Sequence, residues 1–124
     1  MAQKRRVVKI ERKSVGDINI LAFTGEFDAM DLADANEKMG GVTDEGSTRL
    51  IFNLSDLTFI NSMWISYLLK TNKDLKAQGG ELVLSEPSRF FQRVGDAIGL
   101  EKVFQIFPDD GAALKHFGVD GSVA

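Results

Sequence analysis

Between residues 49 and 117 the hydrophobic period switches back and forth, and that alternation restricts the fold more than any other feature. "RLIFNL" (49–54) is a short apolar run with the length of a buried strand. "SMWISYLLKTNKDLKAQ" (62–78) follows with helical spacing and stops at Gly79-Gly80. "ELVLS" (81–85) is again strand-like. Pro87 and Ser88 then open a helix whose apolar set is Phe90, Phe91, Val94 and Ile98, ended by Gly99. "VFQIF" (103–107) reads as a last strand, and Asp109 or Asp110 caps a short helix holding Leu114 and Phe117. Strand, helix, strand, helix, strand, helix predicts right-handed crossovers and a parallel sheet.

The first third adds an antiparallel edge. "VVKIER" (7–12) and "INILAFTGEF" (18–27) read as two strands joined by a turn at "SVGDIN". Asp28 can cap a helix in which Leu32, Ala35 and Met39 recur at helical spacing, stopped by Gly40-Gly41. The expected fold class is therefore α/β, a mixed and mostly parallel sheet with about four α-helices packed against it. The length of 124 residues suits one domain, 1–124, with a core over about 7–117 and a flexible tail over 118–124.

Composition narrows the function classes. The chain has no cysteine, which excludes disulfides, thiolate metal sites and cysteine nucleophiles, and fits a cytoplasmic protein. Its apolar runs are far shorter than the ~20 residues of a membrane span, so no membrane insertion is expected. The basic N-terminus "MAQKRRVV" lacks the apolar stretch of a secretory signal. Residues 4–13 hold six basic side chains and one glutamate, an arm of +5 on a body of about −8. The arm reads as a charged edge strand that resists pairing with another sheet. With no second basic patch to extend a phosphate track, direct nucleic-acid binding is not expected.

The strand-to-helix junction "TFINSMWIS" (58–66) is the most unusual segment. On a helix started at Ser62, with 100° per residue, Trp64, Ile65, Leu68, Asn72 and Leu75 gather on one side. Ser62, Met63, Ser66, Lys70 and Lys73 gather on the other, which must face solvent or a partner. Met63 is an adaptable apolar group on that polar side. Two readings of Ser62 stand side by side. It can cap the helix, which is worth ~1 kcal/mol. It can also carry a phosphate, because a helix N-terminus presents unpaired N–H groups and the positive end of the dipole.

No catalytic constellation accompanies it. The one histidine, His116, lies near the C-terminus and reads as a solvated side chain. There is no nucleophile elbow and no phosphate-binding loop. Asp28, Asp31 and Asp34 progress around a helix and serve capping and solubility better than metal binding. No enzymatic activity, metal or cofactor is expected.

Four segments carry a family resemblance. "FTGEFD" (23–28), "LIFNLSDLTFINSMWISYLL" (50–69), "AQGGELVLSEPS" (77–88) and "VGDAIGLEKVFQIFPDDGAAL" (94–114) stand in the order and spacing of a STAS domain. The chain resembles the anti-sigma factor antagonists of that family. The resemblance implies a protein-binding module that binds an anti-sigma factor with serine kinase activity, so that the sigma factor is released. It implies that the kinase switches the module off by phosphorylating Ser62 and that a phosphatase restores it. The partner-binding surface it implies comprises Phe27, Asp28, Met30, Asn61, Ser62, Met63, Ser66 and Lys70, on a monomer or weak homodimer. Two positions depart from the pattern. Asn61 stands where an aspartate is usual, which removes a carboxylate that would repel a phosphate. Trp64 stands where glycine is usual, at the margin of the core side, where it either packs inward or roofs the site. A STAS subunit that docks or scaffolds a transport or signalling complex without phosphorylation is the alternative.

Overall fold

Alternate residues of a strand face opposite sides of its sheet, and the central strands use both sides for packing. A computed structural model of the protein describes residues 9–26, 48–59 and 62–118. Its elements are β1 (Lys9–Val15), β2 (Ile18–Glu26), β3 (Arg49–Phe59), α1 (Ser62–Ala77), β4 (Glu81–Ser85), α2 (Arg89–Ile98), a 3-10 turn (Leu100–Lys102), β5 (Ile106–Phe107) and α3 (Asp110–His116). The strands form one sheet in the order β1-β2-β3-β4-β5. β1 and β2 pair antiparallel, and the other three pairs are parallel. This is the mixed, mostly parallel α/β domain that the alternation predicts. Three α-helices lie among the described residues. The further helix expected after Asp28, and the tail beyond Gly118, fall outside them.

Two apolar layers flank the sheet. Leu50, Phe52 and Leu54 of β3 pack with Leu82 and Leu84 of β4 under Trp64, Tyr67, Leu68 and Leu75 of α1 and Phe91 of α2. On the opposite face Ile18, Ile20, Ile51 and Val83 pack with Ala113 and Leu114 of α3. β3–α1–β4 and β4–α2–β5 are successive crossovers that move the same way along the sheet, so a common hand lays both helices on one face. Burying both faces is why "LIFNL" and "LVL" read as continuous apolar runs rather than alternating ones.

β3 runs five residues past the "RLIFNL" of the sequence reading, and its path explains the difference. Ala22 pairs with Asn53 and Thr24 with Asp56, so three residues of β3 span two of β2. The extra residue inverts the facing, and Leu54 and Leu57 end in the same layer despite their odd spacing. Asn53 secures the irregular stretch, its Oδ1 accepting from the Ser55 N–H at 3.0 Å and the Ser55 hydroxyl at 2.9 Å. The last strand is shorter than "VFQIF". Gly99 adopts a left-handed φ of 76° at the end of α2 and leads into the 3-10 turn. Only Ile106 and Phe107 then reach the ladder.

Turn glycines matter most at one close approach. Gly80 donates its N–H to Leu75 O at 2.7 Å, and Glu81 donates to Thr48 O at 2.8 Å. A Cβ at Gly80 would lie inside the van der Waals shell of that Thr48 oxygen. The α1-to-β4 turn fits against the start of β3 only with glycine there.

Candidate functional site

α1 divides its two sides cleanly. Trp64, Tyr67, Leu68, Thr71, Asn72 and Leu75 are buried. Ser62, Ser66, Lys70 and Lys73 are exposed, as the helical wheel predicts. Ser62, Ser66 and Lys70 are spaced by four residues and so form one strip along the helix. Leu69 lies beside that strip and is 41% exposed, a large apolar group on the outer surface of the helix. Lys70 donates to Asp74 at 3.1 Å, an exposed pair one turn along.

Ser62 is the first residue of α1, and the first turn contains no acidic side chain. Its hydroxyl is exposed and makes no hydrogen bond among the described residues. Of the two readings kept open for this serine, the side-chain cap is therefore not realised. The N–H groups of the first turn have no intrahelical acceptor, so a negative group on Ser62 would meet a favourable dipole end with no carboxylate opposing it in that turn.

The junction is anchored from below. Trp64 is fully buried, so it packs inward and does not roof the serine. Its ring meets Phe23 of β2 edge-on at 6.0 Å and Phe91 of α2 at 6.1 Å, an arrangement that suits the aromatic quadrupoles. Ser88 adds a polar tie. As N-cap of α2 it accepts from the Phe91 N–H at 3.1 Å while donating to Leu57 O at 3.1 Å, near the end of β3. Tyr67, one turn into α1, is buried, and the Thr71 hydroxyl donates to its backbone oxygen at 2.8 Å. Burial pushes the Tyr67 phenol up to about 12, a side-chain hydrogen bond with Thr71 opposing the shift.

Phe27, Asp28, Met30 and Asn61, also expected on the partner surface, fall outside the described residues, as does the side chain of Met63. Asp31 and Asp34 fall outside them too.

A second polar group, not singled out in the sequence, lies beside the middle of β3 and the C-terminal end of β4. Asp110 Oδ1 accepts from Asn53 Nδ2 at 3.0 Å and from the Ser85 hydroxyl at 2.5 Å. Asp109 caps α3 by accepting from the Ala112 N–H at 2.8 Å. The only available signal was the polar residue that interrupts each apolar run, Asn53 in "LIFNL" and Ser85 in "ELVLS". Together these bonds seat α3 on the sheet. At the other end of α3, His116 is not simply solvated: its Nε2 lies 2.9 Å from Glu81 Oε2, with Phe107 and Phe117 rings beside it. No cluster of three or more metal-ligating side chains occurs among the described residues. No helix among them is long and apolar enough to cross a membrane.

With this geometry in place, comparisons with known proteins agree on the fold. The sequence profile of the STAS domain matches residues 9–113. The structure is similar to that of the anti-sigma factor antagonist SpoIIAA in its unphosphorylated form, at 21% identity and a TM-score of 0.75, over 90% of this chain and 98% of that one. It is similar to the phosphorylated form of the Bacillus cell fate determinant SpoIIAA, at 21% identity and a TM-score of 0.71, over 88% and 99%. An anti-sigma factor antagonist from Mycobacterium paratuberculosis matches at 22% identity and a TM-score of 0.73, over 88% and 92%.

Proposed function

The chain belongs to the STAS domain family, and from that premise we propose that it is an anti-sigma factor antagonist, a protein-binding module controlled by a charge switch at Ser62. In this reading the outer strip of α1 docks on an anti-sigma factor that is also a serine kinase. The partner surface is Ser62, Ser66 and Lys70 together with Phe27, Asp28, Met30, Asn61 and Met63. The kinase phosphorylates Ser62, the complex dissociates, and a phosphatase returns the serine. The module works in the cytoplasm and catalyses nothing itself.

The observation that carries the reading is the state of Ser62: exposed, free of hydrogen bonds among the described residues, and first in a helix with no acidic first-turn side chain. A phosphate adds close to two negative charges at pH 7. Placed there it suits the helix and changes only the surface the partner meets. That SpoIIAA has been solved in phosphorylated and unphosphorylated forms supports a switch of this kind in a similar fold.

The test captures partners with wild-type protein and with Ser62→Asp side by side. A kinase of the ATP-binding sensor type retained by wild type and lost with Ser62→Asp supports the switch. Equal retention by both, or retention of transporter subunits, rejects it in favour of a fixed docking subunit.

A further inference from the structure

Among the described residues, the left-handed backbone positions Gly16, Gly79, Gly99 and Gly118 all carry glycine. One further position does not. Glu86, between β4 and α2, has a φ of 47°, where a Cβ strains the backbone. Pro87 follows it, and the residue before a proline is driven toward the extended region instead. Glycine would make this turn without strain. The chain places a glutamate there.

The neighbours of Glu86 hold the turn in shape. Its own N–H donates to Phe107 O of β5 at 3.0 Å. Just before it, the Ser85 hydroxyl donates to Asp110 at the start of α3. Just after it, Ser88 donates to Leu57 O of β3 at 3.1 Å and caps α2. Bonds to β5, α3 and β3 together impose a conformation that the residue itself opposes, which is how strain persists where a side chain has a task.

The turn lies beside Ser62. β3 and β4 are adjacent and parallel, so the segments that leave them emerge at one edge of the sheet. Trp64, the third residue of α1, meets Phe91, the third residue of α2, at 6.1 Å between ring centroids. The starts of the two helices are therefore side by side. Glu86 is partly exposed there, and its carboxylate makes no hydrogen bond or ion pair among the described residues. A carboxylate on a rigidly held backbone loses less freedom on binding than one on a loose loop. We infer that Glu86 is a second contact point for the partner that docks at Ser62, its carboxylate taking an arginine or lysine side chain of that partner. The inference rests on the anti-sigma factor antagonist reading above.

The test uses the full chain and, as probe, the ATP-binding kinase that the wild-type chain retains, purified and titrated against wild type, Glu86→Gln and Glu86→Gly. Glu86→Gln keeps the strain and removes the charge. Glu86→Gly removes both. Each is expected to weaken kinase binding by at least about fivefold. In urea unfolding Glu86→Gly shifts the midpoint upward, while Glu86→Gln leaves it near that of wild type. A variant that folds more stably yet binds more weakly is a result that a purely structural turn residue does not give. Equal kinase binding by wild type and both variants overturns this inference and leaves the switch at Ser62 standing. A Glu86→Gly variant no more stable than wild type overturns it by removing the strain. Retention of no kinase by the wild-type chain sinks the antagonist reading, and this inference with it.

Discussion

The Ser88 hydroxyl donates to the Leu57 carbonyl while accepting from the Phe91 N–H, so one side chain joins the end of β3 to the start of α2. Ser88→Ala removes a helix cap and a bond between elements together. The expected loss is about 1–2 kcal/mol in urea unfolding. Ser88→Asp keeps an acceptor for Phe91 but cannot donate to Leu57, and should recover only part of it.

Trp64 is fully buried at the start of α1, and the rings of Phe23 and Phe91 close around it. Trp64→Gly empties the centre of the larger apolar layer. A loss of at least about 3–5 kcal/mol is expected from the cavity, plus up to ~1 kcal/mol for glycine within a helix. Thermal unfolding followed by circular dichroism checks it, and a change below 1 kcal/mol would show that the layer collapses around the gap.

Two glycines should respond in opposite ways. Gly80→Ala places a methyl against the Thr48 carbonyl, where backbone must move, and should cost several kcal/mol. Gly95 is buried in α2, but a Cβ there would meet its nearest neighbours, in Leu100 and Phe91, at an ordinary 3.7 Å. Gly95→Ala is expected to be neutral or to stabilise by up to ~1 kcal/mol. Chemical denaturation of the pair side by side checks both signs.

Tyr67 sets an alkaline limit. Its phenol is raised from 10.0 to about 12 in the folded chain, with burial the larger cause. The neutral form is the one the fold holds, so this contribution is complete below pH 10 and is lost as pH rises toward 12. The loss approaches about 3 kcal/mol. Tyr67→Phe should remove that part of the pH dependence, seen in unfolding curves recorded across this range.

Much of the fold could be read from the chain because each helix carries its own stop and start signals. Gly79-Gly80, Ser88, Gly99 and Asp109 mark real boundaries. β3 was harder. Past Leu54 the extra residue inverts its facing, and no period-2 pattern survives such a step. In "VFQIF" composition favours a strand, but the left-handed turn at Gly99 carries the chain through a 3-10 turn, leaving Val103 exposed and Phe104 buried. For the site, the helical wheel placed Ser62, Ser66 and Lys70 on one exposed strip. The bonds from Asn53 and Ser85 to Asp110 were invisible, since they join residues 57 and 25 positions apart.

The division of α1 into two sides has an evolutionary consequence. Residues on its outer strip touch almost nothing that the fold depends on, so they can drift without lowering the population of folded molecules. After gene duplication, two copies can keep the same interior around Trp64 and diverge only along the strip. Each copy then acquires a private partner, and cross-talk between sister circuits falls without either copy having to fold anew.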